Sequence, residues 1–165
     1  MTAPFRIAIA GLGTVGSGVV KALAARGPEL SHRAGRELKI VGVSSRTPQK
    51  TLDLGLEPKL FADVPLALAS SDADVVVELI GGDEGIARQL VETALANGKH
   101  VVTANKALLA KHGLALAELA EKNGVTLKFE AAAAGGLLVP DCRNFFTLRA
   151  AWRMRCSFST SATRT

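Results

Sequence analysis

The segment RIAIAGLGTVGSGVV, which begins at Arg6, constrains the fold of this chain more than any other. Its opening residues, as far as Ala10, are rich in isoleucine and alanine and are typical of a short buried strand. A helical pattern of apolar residues begins at Val15, and glycines separate the two parts. A strand that turns through glycines directly into a helix is the first half of a βαβ unit, so the segment predicts a parallel sheet.

The same alternation of short apolar runs and longer helical patterns continues as far as Ala131. Repeats of this kind are typical of βαβ units. We therefore predict an α/β fold with a Rossmann-type, doubly wound parallel sheet over residues 1–130. The predicted strands are Arg6 to Ala10, Leu38 to Ser44, Val75 to Leu79, His100 to Thr103 and Thr126 to Phe129.

Helices are predicted between these strands. The predictions are Val15 to Ala25, ended by Gly27-Pro28; Asp83 to Asn97, with acidic residues in its first turn and Gly98 as its stop; and Leu114 to Lys122, closed by Asn123-Gly124. Residues 29–37 are polar and are predicted to form a surface loop, and a short helix is expected around Pro65 to Ala69.

Gly11, Gly13 and Gly16 lie where the first strand passes into the first helix. A dinucleotide pyrophosphate has to approach bare backbone N–H groups at a helix N-terminus. Gly11 would form the tight turn, Gly13 would remove a side chain from the approach, and Gly16 would let the helix pack on the strand. Thr14 and Val15 would donate main-chain hydrogen bonds. The alternative is a packing turn without a ligand in another α/β protein.

The end of the second strand bears on which dinucleotide would bind. NAD enzymes usually place an acidic residue there to hold the ribose 2′-hydroxyl, whereas this chain has VGVSSRTP. Ser44, Ser45 and Arg46 can hydrogen-bond and neutralise a 2′-phosphate, so the local chemistry favours NADP, with NAD as the second candidate. The alternative is that Arg46 is a solvated loop arginine.

Two further segments, VVVELIGG from Val75 and GKHVVTANKALLAKHG from Gly98, each contain a strand that ends at the carboxyl edge of the sheet. Ligands bind at that edge in doubly wound folds, so Gly81 and Thr103 are candidate cofactor-binding residues. Lys106 is expected at the start of a helix, where a cation opposes the helix dipole. That placement favours a negatively charged ligand or a reacting oxygen nearby; the alternative is a lysine that reaches solvent.

The composition, 48% hydrophobic and 21% charged over 165 residues, fits a globular domain with a real core. No apolar run reaches the roughly eighteen residues of a membrane span, and the first residues lack the apolar region of a secretory signal, so we expect a cytoplasmic protein without membrane contact.

The net charge of +5 includes five arginines and one aspartate in residues 138–165, so no basic face for nucleic acid is expected.

Four segments in series form a more specific pattern than one glycine turn: IAIAGLGTVGSGVV, VVVELIGG, GKHVVTANKALLA and FEAAAAGG. In order and spacing they resemble the homoserine dehydrogenase family, from residue 5 to about residue 136. The resemblance implies an NAD(P)-dependent oxidoreductase that interconverts its small-molecule substrate, L-homoserine, and L-aspartate 4-semialdehyde in the biosynthesis of threonine, methionine and isoleucine. It also implies a homo-oligomer, although the oligomeric state of this chain is left open.

Carried over by position, the resemblance implies that the turn from Gly11 to Gly16 binds the cofactor pyrophosphate and that Arg46 meets the 2′-phosphate. It places Lys106 at the junction of nicotinamide and substrate. Lys106 is therefore the candidate catalytic residue, since a lysine positioned there can take or return the hydroxyl proton.

The resemblance also implies a sodium site. The matching ligands are Glu130 through its carboxylate and Ala133, Gly135 and Leu137 through main-chain carbonyls. Oxygen ligands suit a hard cation. Without the resemblance, Glu130 would be interpreted as an acid at the edge of the sheet that pairs with a lysine.

The resemblance stops after Gly136. Residues 131–165 are accordingly predicted to be the start of a substrate domain that passes into a divergent, disordered tail. The tail is rich in Arg, Ser, Thr and Cys and lacks a helical or strand period, as a shifted reading frame would produce. The alternative is a real basic tail that binds an acidic partner or a membrane surface through Phe145, Phe146 and Trp152.

The leading interpretation is the cofactor-binding part of an NADP-preferring homoserine dehydrogenase, which binds dinucleotide without full turnover by itself. One alternative is a non-catalytic dinucleotide-binding module. The other is a different Rossmann-type reductase whose lysine serves another small carbonyl substrate.

Overall fold

The computed structural model describes residues 3–129, and the structural statements below refer to that part of the chain. Within it, five parallel strands form one sheet in the order β2-β1-β3-β4-β5. The strands are β1 (Phe5–Ala10), β2 (Leu38–Ser44), β3 (Val75–Glu78), β4 (His100–Thr103) and β5 (Leu127–Lys128). The predicted parallel α/β sheet is confirmed, and each strand end agrees with the prediction to within one residue.

Helices cover both faces of the sheet. In β1, Ile7 and Ile9 pack in one apolar cluster with Val20. The intervening Ala8 packs in a second cluster on the opposite face, with Leu90. Strands that are buried on both faces are near-continuously apolar, as β1 is. The helices are α1 (Thr14–Ala34), α2 (Gln49–Asp53), α3 (Ile86–Ala96) and α4 (Lys106–Lys122), with 3₁₀ turns at Pro58–Leu60 and Pro65–Ser70.

The strand order contains a switch point between β1 and β3. From β1 the chain leads through α1 to β2 on one side, and it then crosses back to place β3 on the other side of β1. The connections from neighbouring strands therefore leave in opposite directions. In open α/β sheets this arrangement opens a crevice at the carboxyl ends of the strands, where ligands bind.

Helix α1 is longer than the sequence predicted. It runs through Pro28 to Ala34, so the predicted end at Gly27-Pro28 and most of the predicted loop at 29–37 are wrong. Pro28 has no N–H to donate to the carbonyl of Ala24. Both residues are exposed, so water can satisfy that carbonyl and the helix can continue.

Two local features support the second half of α1. Arg26 bridges the proline-containing turn by donating two hydrogen bonds of 2.8 and 3.0 Å to Glu29. The helix ends where Gly35 takes a φ of 70° and donates its N–H to the carbonyl of His32. Gly35, in the left-handed conformation, is therefore the actual stop signal.

Helix α4 also begins earlier than the predicted Leu114. It starts at Lys106, as expected for that residue, because Asn105 caps it: the Asn105 side-chain oxygen accepts the N–H of Leu108 over 3.1 Å. The predicted short helix after Val64 is present as the 3₁₀ turn Pro65–Ser70.

Helix α3 begins at Ile86, so the acidic residues predicted in its first turn lie before it. Asp83 forms an ion pair with Lys111, and Glu84 contacts the Nε2 atom of His112 at 2.8 Å. These acids join the start of α3 to α4 instead of complementing the α3 dipole. No helix within residues 3–129 is long and apolar enough to cross a membrane.

Candidate functional site

The last residues of four strands form one row across the carboxyl edge of the sheet. Ser44, Ala10, Glu78 and Thr103 end β2, β1, β3 and β4, and each is the register partner of the next. The turn after β1 is tied to this row, since the N–H of Gly11 donates to the carbonyl of Ser44 over 2.8 Å. The segments that leave these strands therefore start from fixed and adjacent points.

A cleft of about 620 Å³ opens over this row, at the switch point of the sheet. This volume lies in the range of small-molecule sites. The turn after β1, the segments after β2 and the turn after β3 all contribute to it. The lining residues are Gly11, Leu12, Gly13, Ser44, Ser45, Arg46, Thr47, Lys50, Asp63, Pro65, Leu79, Ile80, Gly81 and Ile86.

Close packing requires glycine at one position in the turn after β1 and at one position in the first turn of α1. Gly11 has a φ of 103°, and a Cβ there would lie 2.6 Å from the carbonyl oxygen of Leu79. A Cβ on Gly16 would overlap the carbonyl oxygen of Gly11. Both glycines therefore let α1 and the end of β3 approach the turn.

Gly13 differs from these two glycines. A Cβ there would meet no described atom within 4 Å, and its φ is −71°, so the fold itself does not require glycine. The N-terminus of α1, which begins at Thr14, has no side-chain cap among residues 3–129. Its first N–H groups lack intrahelical partners, and the helix dipole favours an anion there. The open approach and the uncapped N–H groups fit a dinucleotide pyrophosphate.

Two basic side chains lie on the cleft wall formed after β2. The side chains of Arg46 and Lys50 are exposed and form no hydrogen bond or ion pair with the residues that the structure describes. Both cations are therefore available to an anionic ligand. Arg46 was predicted from the sequence, whereas Lys50, four residues further along, was not.

The same wall contains a buried hydroxyl. Ser44 is 1% exposed, and its Oγ has no hydrogen-bond partner within residues 3–129. A buried polar atom without a partner on a cleft lining suits a ligand hydrogen bond. Asp63 reaches the lining because Phe61 pairs with Val43 beside β2. The cleft therefore holds a carboxylate after all, supplied from outside the segment that directly follows β2.

A buried carboxylate lies at the turn after β3. Glu78 is fully buried, and its Oε1 accepts the N–H groups of Ile80 and Gly81 at 2.8 and 3.0 Å. Its Oε2 accepts the Thr103 hydroxyl at 2.5 Å. Thr103 Oγ1 in turn accepts the N–H of Asn105 at 3.0 Å. A buried carboxylate needs such partners, and here they belong to the turn after β3 and to the last residue of β4.

The family model of the homoserine dehydrogenase NAD-binding domain matches residues 11–130. The chain belongs to this family. The homoserine dehydrogenase of Pseudomonas aeruginosa is 45% identical over 136 residues, which are 82% of this chain and 31% of the relative. The one from Neisseria gonorrhoeae is 44% identical over 134 residues, 81% of this chain and 31% of the relative.

A solved structure gives the same result. The crystal structure of a homoserine dehydrogenase from Thiobacillus denitrificans matches with a TM-score of 0.73 at 44% identity, over 82% of this chain and 31% of that chain. The resemblance found in the four sequence segments is thus confirmed. This chain spans 31% of the length of these homoserine dehydrogenases.

Most of the predicted cofactor-binding residues lie at or beside the cleft. Gly11, Gly13, Arg46 and Gly81 line it. Thr14, Val15 and Gly16 form the first turn of α1 next to it. Thr103 is buried with its hydroxyl bonded to Glu78, so a contact with the cofactor would have to come from its main chain.

Lys106 is exposed as the first residue of α4, and its side chain has no partner among residues 3–129. It does not belong to the cleft lining itself. Its neighbour Asn105 donates a hydrogen bond from Nδ2 to the carbonyl of Gly82, which follows the lining residue Gly81. The catalytic role of Lys106 in a homoserine dehydrogenase stays a prediction.

The predicted sodium ligands Glu130, Ala133, Gly135 and Leu137 lie outside the described residues, as does the tail from 131 to 165. Residues 3–129 contain no group of three or more His, Cys, Asp or Glu side chains that could hold a metal ion. The sodium site therefore stays a prediction.

Sequence reasoning missed Glu78 and Asn105, although each carries a signal. Glu78 is an acid at the end of the otherwise apolar strand VVVE, which indicates a specific buried partner. Asn105 directly precedes a helical pattern, where asparagine is a favoured cap.

Proposed function

We propose that this chain forms the dinucleotide-binding domain of an NADP-preferring homoserine dehydrogenase. The observation that carries the proposal is the open approach to Gly13 at the uncapped N-terminus of α1. An anion there would meet unpaired N–H groups and the positive end of the helix dipole. Family membership supports the pyrophosphate of a nicotinamide dinucleotide as that anion.

The chemistry of the wall after β2 supports the preference for NADP. The side chains of Arg46 and Lys50 have no partner among residues 3–129, and a 2′-phosphate would neutralise their charge. The buried Ser44 hydroxyl offers a further donor. NAD lacks the phosphate and would leave both cations without a partner.

For the whole protein we propose the NAD(P)-dependent interconversion of L-homoserine and L-aspartate 4-semialdehyde. When bound, the nicotinamide would supply the hydride chemistry. Lys106 would hold the substrate oxygen and take or return its proton. Because the matched residues make up only 31% of the relative, we assign to this chain only the dinucleotide-binding part of the reaction. A sodium ion at residues 130–137 and a homo-oligomer are proposed from the resemblance alone, and a cytoplasmic location stays an expectation from the sequence.

Isothermal titration of the 165-residue chain with NADPH and with NADH tests this function. We expect both to bind, with NADPH about tenfold tighter or more. If neither nucleotide binds to a chain that shows a helical circular dichroism spectrum, the proposed function is contradicted. Equal affinities would contradict only the NADP preference. For the whole protein, reduction of NADP⁺ that depends on L-homoserine, compared with other small hydroxy compounds, separates this function from another Rossmann-type reductase. Turnover by the 165-residue chain alone would contradict the assignment of only the dinucleotide-binding part.

A further inference from the structure

We propose that Glu78 is a positioning residue that holds the turn after β3 and the start of α4 together as one unit at the nicotinamide end of the cleft. The proposal rests on the proposed function, since it takes Gly81 and Lys106 to face the nicotinamide half of the dinucleotide. Glu78 itself acts through backbone groups and through Thr103.

The position of Glu78 is unusual for an acid. It ends a strand whose other residues are valines, it is fully buried, and no cation within residues 3–129 pairs with it. A buried carboxylate that lacks a cationic partner is costly, and a fourth valine would continue the core. The acid therefore indicates a role in ordering the groups that it binds.

The hydrogen bonds of Glu78 form a closed circuit. From its carboxylate the chain of bonds passes through the Thr103 hydroxyl to the N–H of Asn105. The Asn105 side chain then donates to the carbonyl of Gly82, which returns the circuit to the turn whose N–H groups bind Glu78. Because Asn105 also caps α4, the circuit fixes where that helix begins.

The turn after β3 needs such a restraint. Gly81 and Gly82 have φ values of 84° and 86°, and consecutive glycines in this conformation are intrinsically flexible. A Cβ on either residue would meet no described atom within 4 Å, so the outer side of the turn is open. The N–H groups of Ile80 and Gly81, on the inner side of the turn, donate to Glu78. The Glu78 carboxylate thus restrains a turn in which Gly81 and Gly82 have no side chains to pack.

Two ligands separate this role from general stabilisation. NADPH carries the nicotinamide, whereas adenosine 2′,5′-bisphosphate contains only the adenosine end. We expect Thr103→Val, which removes the hydroxyl that links Glu78 to Asn105, to weaken NADPH binding by about fivefold or more while changing the affinity for adenosine 2′,5′-bisphosphate by less than about twofold. Thr103→Ser should restore the NADPH affinity, because it restores the hydroxyl.

The matched control is Thr126→Val, an exposed threonine outside the cleft lining, which should leave both affinities unchanged. Equal losses for both ligands in Thr103→Val, or no loss for either, would overturn the positioning role. If the parent chain binds neither NADPH nor adenosine 2′,5′-bisphosphate, the proposed function is contradicted instead.

The parent chain provides a second test, which requires no variant. In amide NMR spectra, NADPH should shift the resonances of Ile80, Gly81 and Asn105 together, whereas adenosine 2′,5′-bisphosphate should not. If NADPH shifts only the resonances of the turn after β1 and of the first turn of α1, the proposal is overturned.

Discussion

The hydroxyl of Thr103 donates to the carboxylate of Glu78 over 2.5 Å, and the two residues are register partners at the ends of β4 and β3. Register partners on neighbouring parallel strands direct their side chains to the same face of the sheet. Two residues earlier, the pair Val76 and Val101 is fully buried in the apolar core. The polar circuit therefore continues the register of the core up to the edge where the cleft opens.

The first turn of α1 should tolerate no side chain at Gly16. Gly16→Ala places a Cβ against the carbonyl oxygen of Gly11, so we expect the free energy of unfolding to fall by about 2 kcal/mol or more. Gly18→Ala is the control, since that position is exposed and open, and it should gain up to about 1 kcal/mol in helix propensity. Urea unfolding followed by circular dichroism measures both; equal stabilities would contradict the packing.

Replacement of the proline inside α1 should stabilise the chain. Pro28→Ala restores an N–H that can donate to the carbonyl of Ala24, and we expect a gain of about 1 to 2 kcal/mol in the free energy of unfolding, reduced by the greater freedom of the unfolded chain. Pro65→Ala, at the first position of a 3₁₀ turn, should bring no gain. A loss of stability in Pro28→Ala would show that the proline is better accommodated than the helix geometry indicates.

The Arg6–Asp74 pair should make stability depend on acid pH. Asp74 accepts hydrogen bonds from the guanidinium and the backbone N–H of Arg6 at 2.9 and 2.8 Å. Chiefly the guanidinium bond lowers the pKa of Asp74 from 3.8 to about 2. Because the pKa is lower in the folded state, this contribution is complete above about pH 4 and is lost as the pH falls through about 2.

Asp74→Asn tests that linkage. At neutral pH the substitution should lower the free energy of unfolding by about 1 to 2 kcal/mol, and the difference from the parent should shrink as the pH falls from about 4 to about 2. Asp72 is another carboxylate beside Arg6, and the Asp72 side chain is 85% exposed. The effect of Asp72→Asn on the free energy of unfolding should therefore stay below about 0.5 kcal/mol. A difference for Asp74→Asn that does not vary with pH would contradict the assignment.

Arg46 should control the choice of cofactor. Arg46→Ala removes a cation from the cleft wall, so we expect NADPH affinity to fall by about tenfold or more and NADH affinity to change by less than about twofold. Arg33→Ala, near the end of α1 and outside the lining, makes the same change in net charge and should spare both affinities. Loss of NADPH affinity in both variants would indicate a long-range effect of charge instead of a direct contact.

The fold could be predicted from the sequence wherever the apolar pattern and local chemistry agreed. β2 and β4 were predicted to the residue, because each contains a short run of β-branched residues that lies between polar segments. The end of α1 was not, because Gly27-Pro28 is a strong local stop signal. An exposed carbonyl and a side-chain bridge across the turn offset that signal, and both become visible only in three dimensions.

The site could be predicted only in part. The glycine turn and Arg46 carry recognisable local chemistry, since each residue type answers a need of the ligand. Lys50 reaches the cleft from the short helix α2, and Asp63 reaches it from the irregular segment between the two 3₁₀ turns. Neither element is long enough to leave a recognisable period in the sequence. Glu78 and Thr103 lie 25 positions apart, and only the register of β3 with β4 brings them together.

The central claim is that the N-terminus of α1 receives the pyrophosphate of a dinucleotide, and titration calorimetry of Gly13→Ala with NADPH tests it most directly. The fold has room for this Cβ, so the unfolding temperature should stay within about 2 °C of the parent value. We predict that NADPH affinity falls by about tenfold or more while the control Gly18→Ala binds as the parent does. A folded Gly13→Ala variant that binds NADPH as tightly as the parent chain would contradict the account.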